Sequence, residues 1–323
     1  MTSPFDVPSC DKCRKPAIHH QVYSGRMMCG VHLTDSVRKK VSKAIRKQLV
    51  IPYGGSITIL VAISGGKDSA VLLDRIVDAL GKNSRVTIVG GCVDEGIEGY
   101  RKPSLECARQ LCADLGVRFE TVSYPELGFI EMDEAVKRIE LTNDKKTPCS
   151  YCGVFRRQGV NHLAKRVGAD VIAFGHNLDD MAQTVLMNLQ NGDVDRTLRL
   201  APHTENLIEG MIPRIVPLRW VPEQEVHLFA LERGLPIHHD ECPHGEGALR
   251  FRHREMVALM ESDTPGSRHG MLRFADEIKS IHQKLDQKRM APPEACPVCG
   301  ELCSGTICKA CEMKESLGSN PSS

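Results

Sequence analysis

No run of hydrophobic residues in this chain approaches the ~20 that span a bilayer, which excludes a helical membrane protein. Nor does either charge prevail. Lys and Arg total 42 against 41 Asp and Glu, a net +1, so no global field draws in a polyanion and any nucleic-acid surface must be a local basic patch. The opening residues, MTSPFDVPSC, lack the charged-then-apolar pattern of an export signal. Cysteine, by contrast, is plentiful. Fourteen cysteines without an export signal are poor candidates for disulfides, so metal or redox chemistry in a reducing cytoplasm is the expectation. With 323 residues, 41% of them hydrophobic, the chain has material for one full-sized domain plus small appendages.

The cysteines cluster. CDKC (Cys10, Cys13) is followed by CGVH (Cys29, His32), and near the other end CPVC (Cys296, Cys299) is followed by CKAC (Cys308, Cys311). Each set offers four ligands on two short knuckles, the pattern of a closed, structural, tetrahedral zinc site. Two Zn²⁺ are therefore expected. Cys303 lies between the second pair of knuckles without an assigned role. Cys92, Cys107 and Cys112 sit in apolar patterns and read as small core hydrophobes. Three cysteines remain: Cys149 and Cys152 in TPCSYCGVFRR, and Cys242 in DECPHG.

Between the terminal modules, strand and helix patterns alternate. Strands are expected at 57–63, 86–93, 117–124 and 170–175, and helices at 69–80, 103–116, 153–168 and 178–190. That alternation predicts an α/β fold with a parallel sheet covered on both faces and a ligand site at the carboxyl ends of the strands. Residues 201–220 read as irregular, and further helices are expected at 222–233, 248–262 and 268–290. SVRKKVSKAIRKQL (36–49) combines six basic residues with apolar residues at helical spacing, either a solvated helix face or a phosphate-backbone surface. ESLGSNPSS at the end has a disordered composition.

The first strand runs into SGGKDS (Ser64–Ser69) and then a helix. Two glycines let backbone N–H groups converge on an anion, the helix start adds partial positive charge, and Ser64, Lys67 and Ser69 add donors. The element resembles the PP-loop of the N-type ATP pyrophosphatases, which cleave ATP between the α and β phosphates. A second strand-to-helix loop, GHNLDD (175–180), brings Gly175, His176, Asp179 and Asp180 to the same strand ends. An N-cap role for Asp179 or Asp180 accounts for part of that loop.

Both zinc modules, SGGKDS, PCSYCGVFRR, GHNLDDMAQTVLMN and the lone ECP together resemble the tRNA 2-thiouridine synthetases of the TtuA/NcsA kind, over about residues 8 to 312. The resemblance implies a [4Fe–4S] cluster on Cys149, Cys152 and Cys242, with one iron left open to hold a sulfide for transfer. It implies ATP contacts from Ala62, Ile63, Ser64, Gly65, Gly66, Lys67, Asp68, Ser69, the backbone near Cys92, Arg156, Gly175 and Asp180, with Asp68 linked to Mg²⁺ or phosphate. The implied reaction adenylates O2 of a tRNA uridine and then replaces that oxygen by sulfur. CGVFRRQ and TVLMN favour wobble position 34 over T-loop position 54. The implied partners are tRNA, a sulfur donor (free sulfide or a ubiquitin-like thiocarboxylate protein) and a second copy of the chain, in the cytoplasm. The zinc knuckles, the 38–47 basic helix and RFRHR (250–254) are the expected tRNA contacts.

The corresponding division is an N-terminal zinc finger (8–35), a basic linker helix (36–55), a PP-loop domain with the iron–sulfur site (56–262), a helix (263–290), a zinc ribbon (291–313) and a disordered tail (314–323). Three rival readings use the same residues. One is a persulfide mechanism on Cys149 or Cys242 without a cluster, another a PP-loop ligase amidating a small acid, and the third a zinc-ribbon nucleic-acid adaptor without catalysis.

Overall fold

A computed structural model describes residues 7–141, 146–203, 210–245, 249–285 and 293–318. A short antiparallel hairpin, β1 (His19–Gln21) and β2 (Arg26–Met28), feeds α1 (Gly30–Gln48). There follow β3 (Ile57–Ala62), α2 (Lys67–Leu80), β4 (Val86–Asp94), α3 (Arg101–Asp114) and β5 (Arg118–Ser123). Next come α4 (Met132–Leu141), α5 (Pro148–Arg166), β6 (Val171–Ala173), α6 (Leu178–Gln190), α7 (Val194–Leu198) and β7 (Arg214–Ile215). The chain closes with α8 (Glu223–Glu232), α9 (Leu249–Asp263), α10 (Ser267–Leu285), the hairpin β8 (Glu294–Ala295) and β9 (Leu302–Cys303), and α11 (Lys309–Gly318).

Five strands form one parallel sheet in the order β5-β4-β3-β6-β7, with Ile59 opposite Ile88 on one side and Val171 on the other. Because ITILVA is apolar at nearly every position, β3 is covered on both faces. Ile59 and Val61 pack with Val71, Leu72 and Ile76 of α2, Val41 and Ile45 of α1, and Phe229 of α8. Leu60 faces the other way, among Val89, Val122, Tyr124, Phe155 and Leu163. The chain winds outward from β3 through β4 to β5, then returns to place β6 on the opposite flank of β3. The loops after β3 and β6 therefore part at the switch point and open a crevice at the carboxyl ends of the strands.

The expected alternation is present, with differences of physical interest. The 36–49 segment is no separate linker: its helix begins at Gly30 inside the second knuckle, and Val37, Val41, Ala44 and Ile45 are buried against the sheet domain. The α5 helix starts at Pro148 rather than near 153, because proline's fixed φ suits a first helical position. Residues 201–220, expected to be irregular, supply the edge strand β7. Residues 314–318, expected to belong to a disordered tail, instead continue α11 to Gly318, with Met313 and Leu317 buried; residues 319–323 lie outside the described residues. The last expected helix ends at Leu285, and 286–290 also lie outside.

Candidate active site

The SGGKDS loop follows β3 and opens α2. Its side chains close on its own backbone: Ser64 N–H donates to Ser69 Oγ (3.1 Å), and Ser69 Oγ donates to Gly66 O (2.9 Å). Gly65 has φ +88°, and a Cβ there would stand 2.0 Å from the Ser104 carbonyl, so only glycine fits against α3. At Gly66 no side chain caps α2, leaving the first-turn N–H groups for an anion. Beneath the loop lies Arg101, which is buried. Its guanidinium donates to Ser64 O (3.0 Å) and Cys92 Sγ (2.8 Å) and pairs with buried Glu95 (2.7 Å). Cys92 is thus Arg101's acceptor as well as a core residue, its thiol pushed up to about 11 chiefly by burial. Burial likewise pushes Cys112 up to about 12, while Cys107 is only partly buried.

The second loop meets the first. A Cβ on Gly175 would lie 3.1 Å from the Asp68 carbonyl, so the two backbones already touch. Asn177, not either aspartate, is the N-cap of α6: its side chain accepts from Asp180 N–H (3.0 Å), and Asp180 accepts from Asn177 N–H (3.2 Å). Asn177 Nδ2 also donates to Asp68 (2.9 Å), coupling the loops. Asp179 turns away to Arg268 (2.6 Å) and anchors α10, while His176 remains exposed. Lys67 Nζ lies between Asp68 (3.1 Å) and Glu223 (2.9 Å). Burial raises the carboxyls of Asp68 and Asp180, opposed by Lys67 at the first and Arg250 at the second. Two carboxylates and a lysine thus stand at the mouth of an uncapped helix, a donor set that fits a nucleotide's phosphates with their divalent cation.

Cys149 and Cys152 lie one turn apart on the first turn of α5, and Arg156, one further turn along, donates to Cys152 Sγ (3.8 Å) and pairs with Glu95 (3.6 Å). Tyr124 Oη donates to the Cys152 carbonyl (3.1 Å). Cys242 sits beside a 3₁₀ turn, Pro243–Gly245, pinned by His244 to Asp133 of α4 (2.6 Å), and Cys149 Sγ reaches the His244 carbonyl (3.7 Å). Burial raises the thiols of Cys149 and Cys242, and the charge of neighbouring thiols adds to it. Cys149 and Asp180 line one cleft of about 210 Å³, together with Gln183, Glu223, Arg250, Phe251 and Arg254.

The terminal sets are tighter. Cys10, Cys13, Cys29 and His32 bring their ligand atoms within 4.8 Å of one another, and so do Cys296, Cys299, Cys308 and Cys311. Sulfur pairs at 3.6 Å (Cys13, Cys29) and 3.5 Å (Cys299, Cys308) match the ~3.8 Å edge of a zinc–thiolate tetrahedron, so both sets fit zinc. Backbone N–H groups of Cys308, Cys299 and Val298 hold the Cys296 thiol down to about 6. Cys303 stays outside its set, bonded to the Gly305 carbonyl (3.0 Å). Among the described residues the three central thiols form no such single-ion knot. A wider spread suits a cubane, in which each thiolate holds a different iron, so this donor set fits a cluster with three protein ligands.

Several residues of the site carry no sequence signal of their own: Arg101, Glu95, Tyr124, Asp133 and Glu223 arrive from distant elements. RFRHR turns out differently from a simple phosphate surface. Arg250 points at Asp180 (3.7 Å) and Arg254 at Glu223 (3.2 Å), so both guanidiniums are engaged within the cleft, while Arg252 is exposed.

A PP-loop domain family matches residues 33–259. The tRNA 2-thiolation protein NcsA of Haloferax volcanii is 35% identical over 95% of this chain and 98% of its own length. The cytoplasmic tRNA 2-thiolation protein 1 of Chlamydomonas reinhardtii is 36% identical over 95% and 84%. Among solved structures, the U34-tRNA thiolase NcsA of Methanococcus maripaludis with its [4Fe–4S] cluster superimposes with a TM-score of 0.78 at 30% identity, covering 94% of this chain and 95% of that one.

Proposed function

From its membership of the PP-loop family, among the tRNA 2-thiolation proteins, we propose that this chain is an ATP-dependent tRNA sulfurtransferase that converts a wobble uridine to 2-thiouridine. One observation supports this reading most directly: Cys149 of the three-cysteine set and Asp180, whose loop meets the PP-loop at Asp68, line the same cleft. An amide-forming ligase needs only the second half of that arrangement, and a nucleic-acid adaptor needs neither.

In this reading the pyrophosphate lies across the uncapped start of α2, against the backbone of Gly65 and Gly66 and the side chains of Ser64, Lys67 and Ser69. Ala62, Ile63, the backbone near Cys92, and Gly175 border the nucleotide. Asp68 and Asp180 hold Mg²⁺, and Lys67 exchanges its acidic partners for phosphate as negative charge builds on the leaving group. Uridine O2 attacks the α-phosphorus, pyrophosphate departs, and the adenylated C2–O bond becomes breakable. A sulfur nucleophile then forms the C2–S bond and AMP leaves with the former O2. Cys149, Cys152 and Cys242 would hold a [4Fe–4S] cluster, which when bound supplies an iron site with a free position for sulfur. Arg156, beside Cys152 and Glu95, keeps positive charge between the two halves of the site. Free sulfide or a thiocarboxylated ubiquitin-like protein is the donor, two zinc ions hold the terminal sets, and the enzyme works as a cytoplasmic homodimer.

The decisive experiment is anaerobic reconstitution with iron and sulfide, followed by incubation with ATP, sulfide and unmodified tRNA and nucleoside analysis by mass spectrometry. Expected are about four irons per chain, ATP-dependent 2-thiouridine, and its loss when U34 is replaced. Thiolation mapped to U54 would move the site assignment, and activity in iron-free protein would favour the persulfide route.

A further inference from the structure

A base must enter the cleft before it reacts, and two side chains there have no place in the chemistry above. Phe251 lies on α9, 43% exposed, and is the aromatic residue lining the cleft. Its neighbours Arg250 and Arg254 are drawn inward to Asp180 and Glu223, which fixes the helix face that presents the ring. Across the cleft, on α6, Gln183 is 4% exposed, yet its amide has no hydrogen-bond partner among the described residues. An amide that makes no bond within the protein keeps its donor and acceptor for an incoming group. Its position one turn beyond Asp180 puts that amide on the wall of the cleft.

We propose that Phe251 and Gln183 form the pocket for the target base, the Phe251 ring as stacking platform and the Gln183 amide as partner for the Watson–Crick edge. The inference rests on the tRNA-thiolation reading. Single-stranded RNA bases are recognised by stacking on aromatic rings and by hydrogen bonds to their edges, and an amide offers the donor and acceptor that complement O4 and N3–H of uracil. The cleft's volume of about 210 Å³ is below the ~300–1,000 Å³ of sites for drug-sized ligands, which suits one splayed base rather than a whole nucleotide. Stacking on this ring keeps C2 in the cleft that Cys149 and Asp180 also line.

The test uses the reconstituted full chain with ATP, sulfide and unmodified tRNA. Phe251→Ala is expected to raise KM for tRNA about 5- to 100-fold, the range that removal of one stacking partner produces. Its KM for ATP and its iron content are expected to stay at wild-type values. Phe251→Trp restores the KM and adds a second tryptophan to Trp220, whose fluorescence is quenched when tRNA, but not ATP, is added. Gln183→Leu lowers kcat/KM for tRNA about tenfold, as loss of one hydrogen-bonded edge implies. An unchanged KM for tRNA in Phe251→Ala overturns the proposal. So does a raised KM for ATP, which would mean that the adenine stacks there, or an equal loss of iron and ATP binding, which would mean a scaffold role. A wild-type chain that thiolates no tRNA overturns the underlying reading and this one with it.

Discussion

In the two terminal cysteine sets, four ligands converge within 4.8 Å, and each set is fastened to the body of the protein. In the central set, three cysteines come from two segments, Cys149 lines a cleft, and among the described residues they form no such tight group. A closed tetrahedron has nothing left to offer a substrate, and its contribution is to folding. An open set contributes little to folding, because only one short turn depends on it, and everything to chemistry. The terminal sets also differ from each other. The C-terminal one docks through apolar contacts, with Cys296, Cys308, Met313 and Leu317 in one core with Tyr151 and Phe155. The N-terminal one docks through a buried polar knot, in which Glu225 accepts from Gln21 (2.9 Å), Tyr23 (2.6 Å) and Lys40 (2.7 Å).

The largest effect should come from the loosest set. Cys242→Ala is expected to cut thiolation by at least about 1,000-fold, about 4 kcal/mol of barrier. Because Cys242 is only partly buried, global stability should move by no more than about 0.5 kcal/mol. Iron content, thiouridine yield and a melting curve on one preparation check both halves; retained activity would sink the three-ligand site. Cys296→Ala should invert the pattern. Opening that set also empties part of the core, at a cost of about 3–4 kcal/mol, while ATP binding at the distant loop persists. If its melting point matches that of Cys242→Ala, the contrast between closed and open sets fails. Glu225→Ala follows at about 3 kcal/mol, because it leaves the Lys40 ammonium, largely buried, without its carboxylate. Chemical denaturation measures that loss. An unaltered midpoint would mean that the N-terminal set does not depend on this knot.

Much of this contrast was legible in the sequence, for a physical reason. The metal-ligand knuckles and the PP-loop are local: each needs particular residues a few positions apart, so the spacing of Cys10, Cys13, Cys29 and His32, or the run Ser64–Ser69, carries the message. Apolar periodicity likewise placed four strands and most helices. What escaped was non-local or short. The strand Arg214–Ile215 spans two residues and has no periodicity to detect. Arg101 reads as one more basic residue until α3 carries it beneath Ser64. Arg250 and Arg254 look like a phosphate patch until folding brings Asp180 and Glu223 opposite them. Asn177 stands three residues before Asp180, a capping-box spacing, but Asp179 and Asp180 beside it are equally good capping residue types, so only the fold decides between them.

The smallest predicted effect separates the two terminal sets by pH. His19 and His269 both lie in the N-terminal docking region: His19 is 3.9 Å from Glu225, and His269 packs against Tyr23 with ring centroids 4.4 Å apart. Burial depresses both imidazoles, against the attraction of Glu225 at His19 and helped by Lys40 at His269, which is lowered to about 4. Unfolded histidines titrate near ~6.5. Below that value the unfolded chain binds protons that the folded chain refuses, so the stabilisation is complete above pH ~6.5 and drains away as pH falls toward 4. Residues 293–318 of the C-terminal module contain no histidine, so that set lacks this sensitivity. The protection factors of the Arg26–Met28 amides, taken against the intrinsic rate at each pH, should fall between pH 7 and pH 5.5 (about one unit below the unfolded value) more than those at Leu302–Cys303. Protonation of the Cys and His side chains in the terminal sets would produce a similar trend, and a His19→Gln, His269→Gln double variant separates the two causes. The variant keeps every ligand, so an acid response that survives in it belongs to the metal sites. A response that flattens belongs to the buried histidines and marks the polar knot as the weaker of the two fastenings in acid.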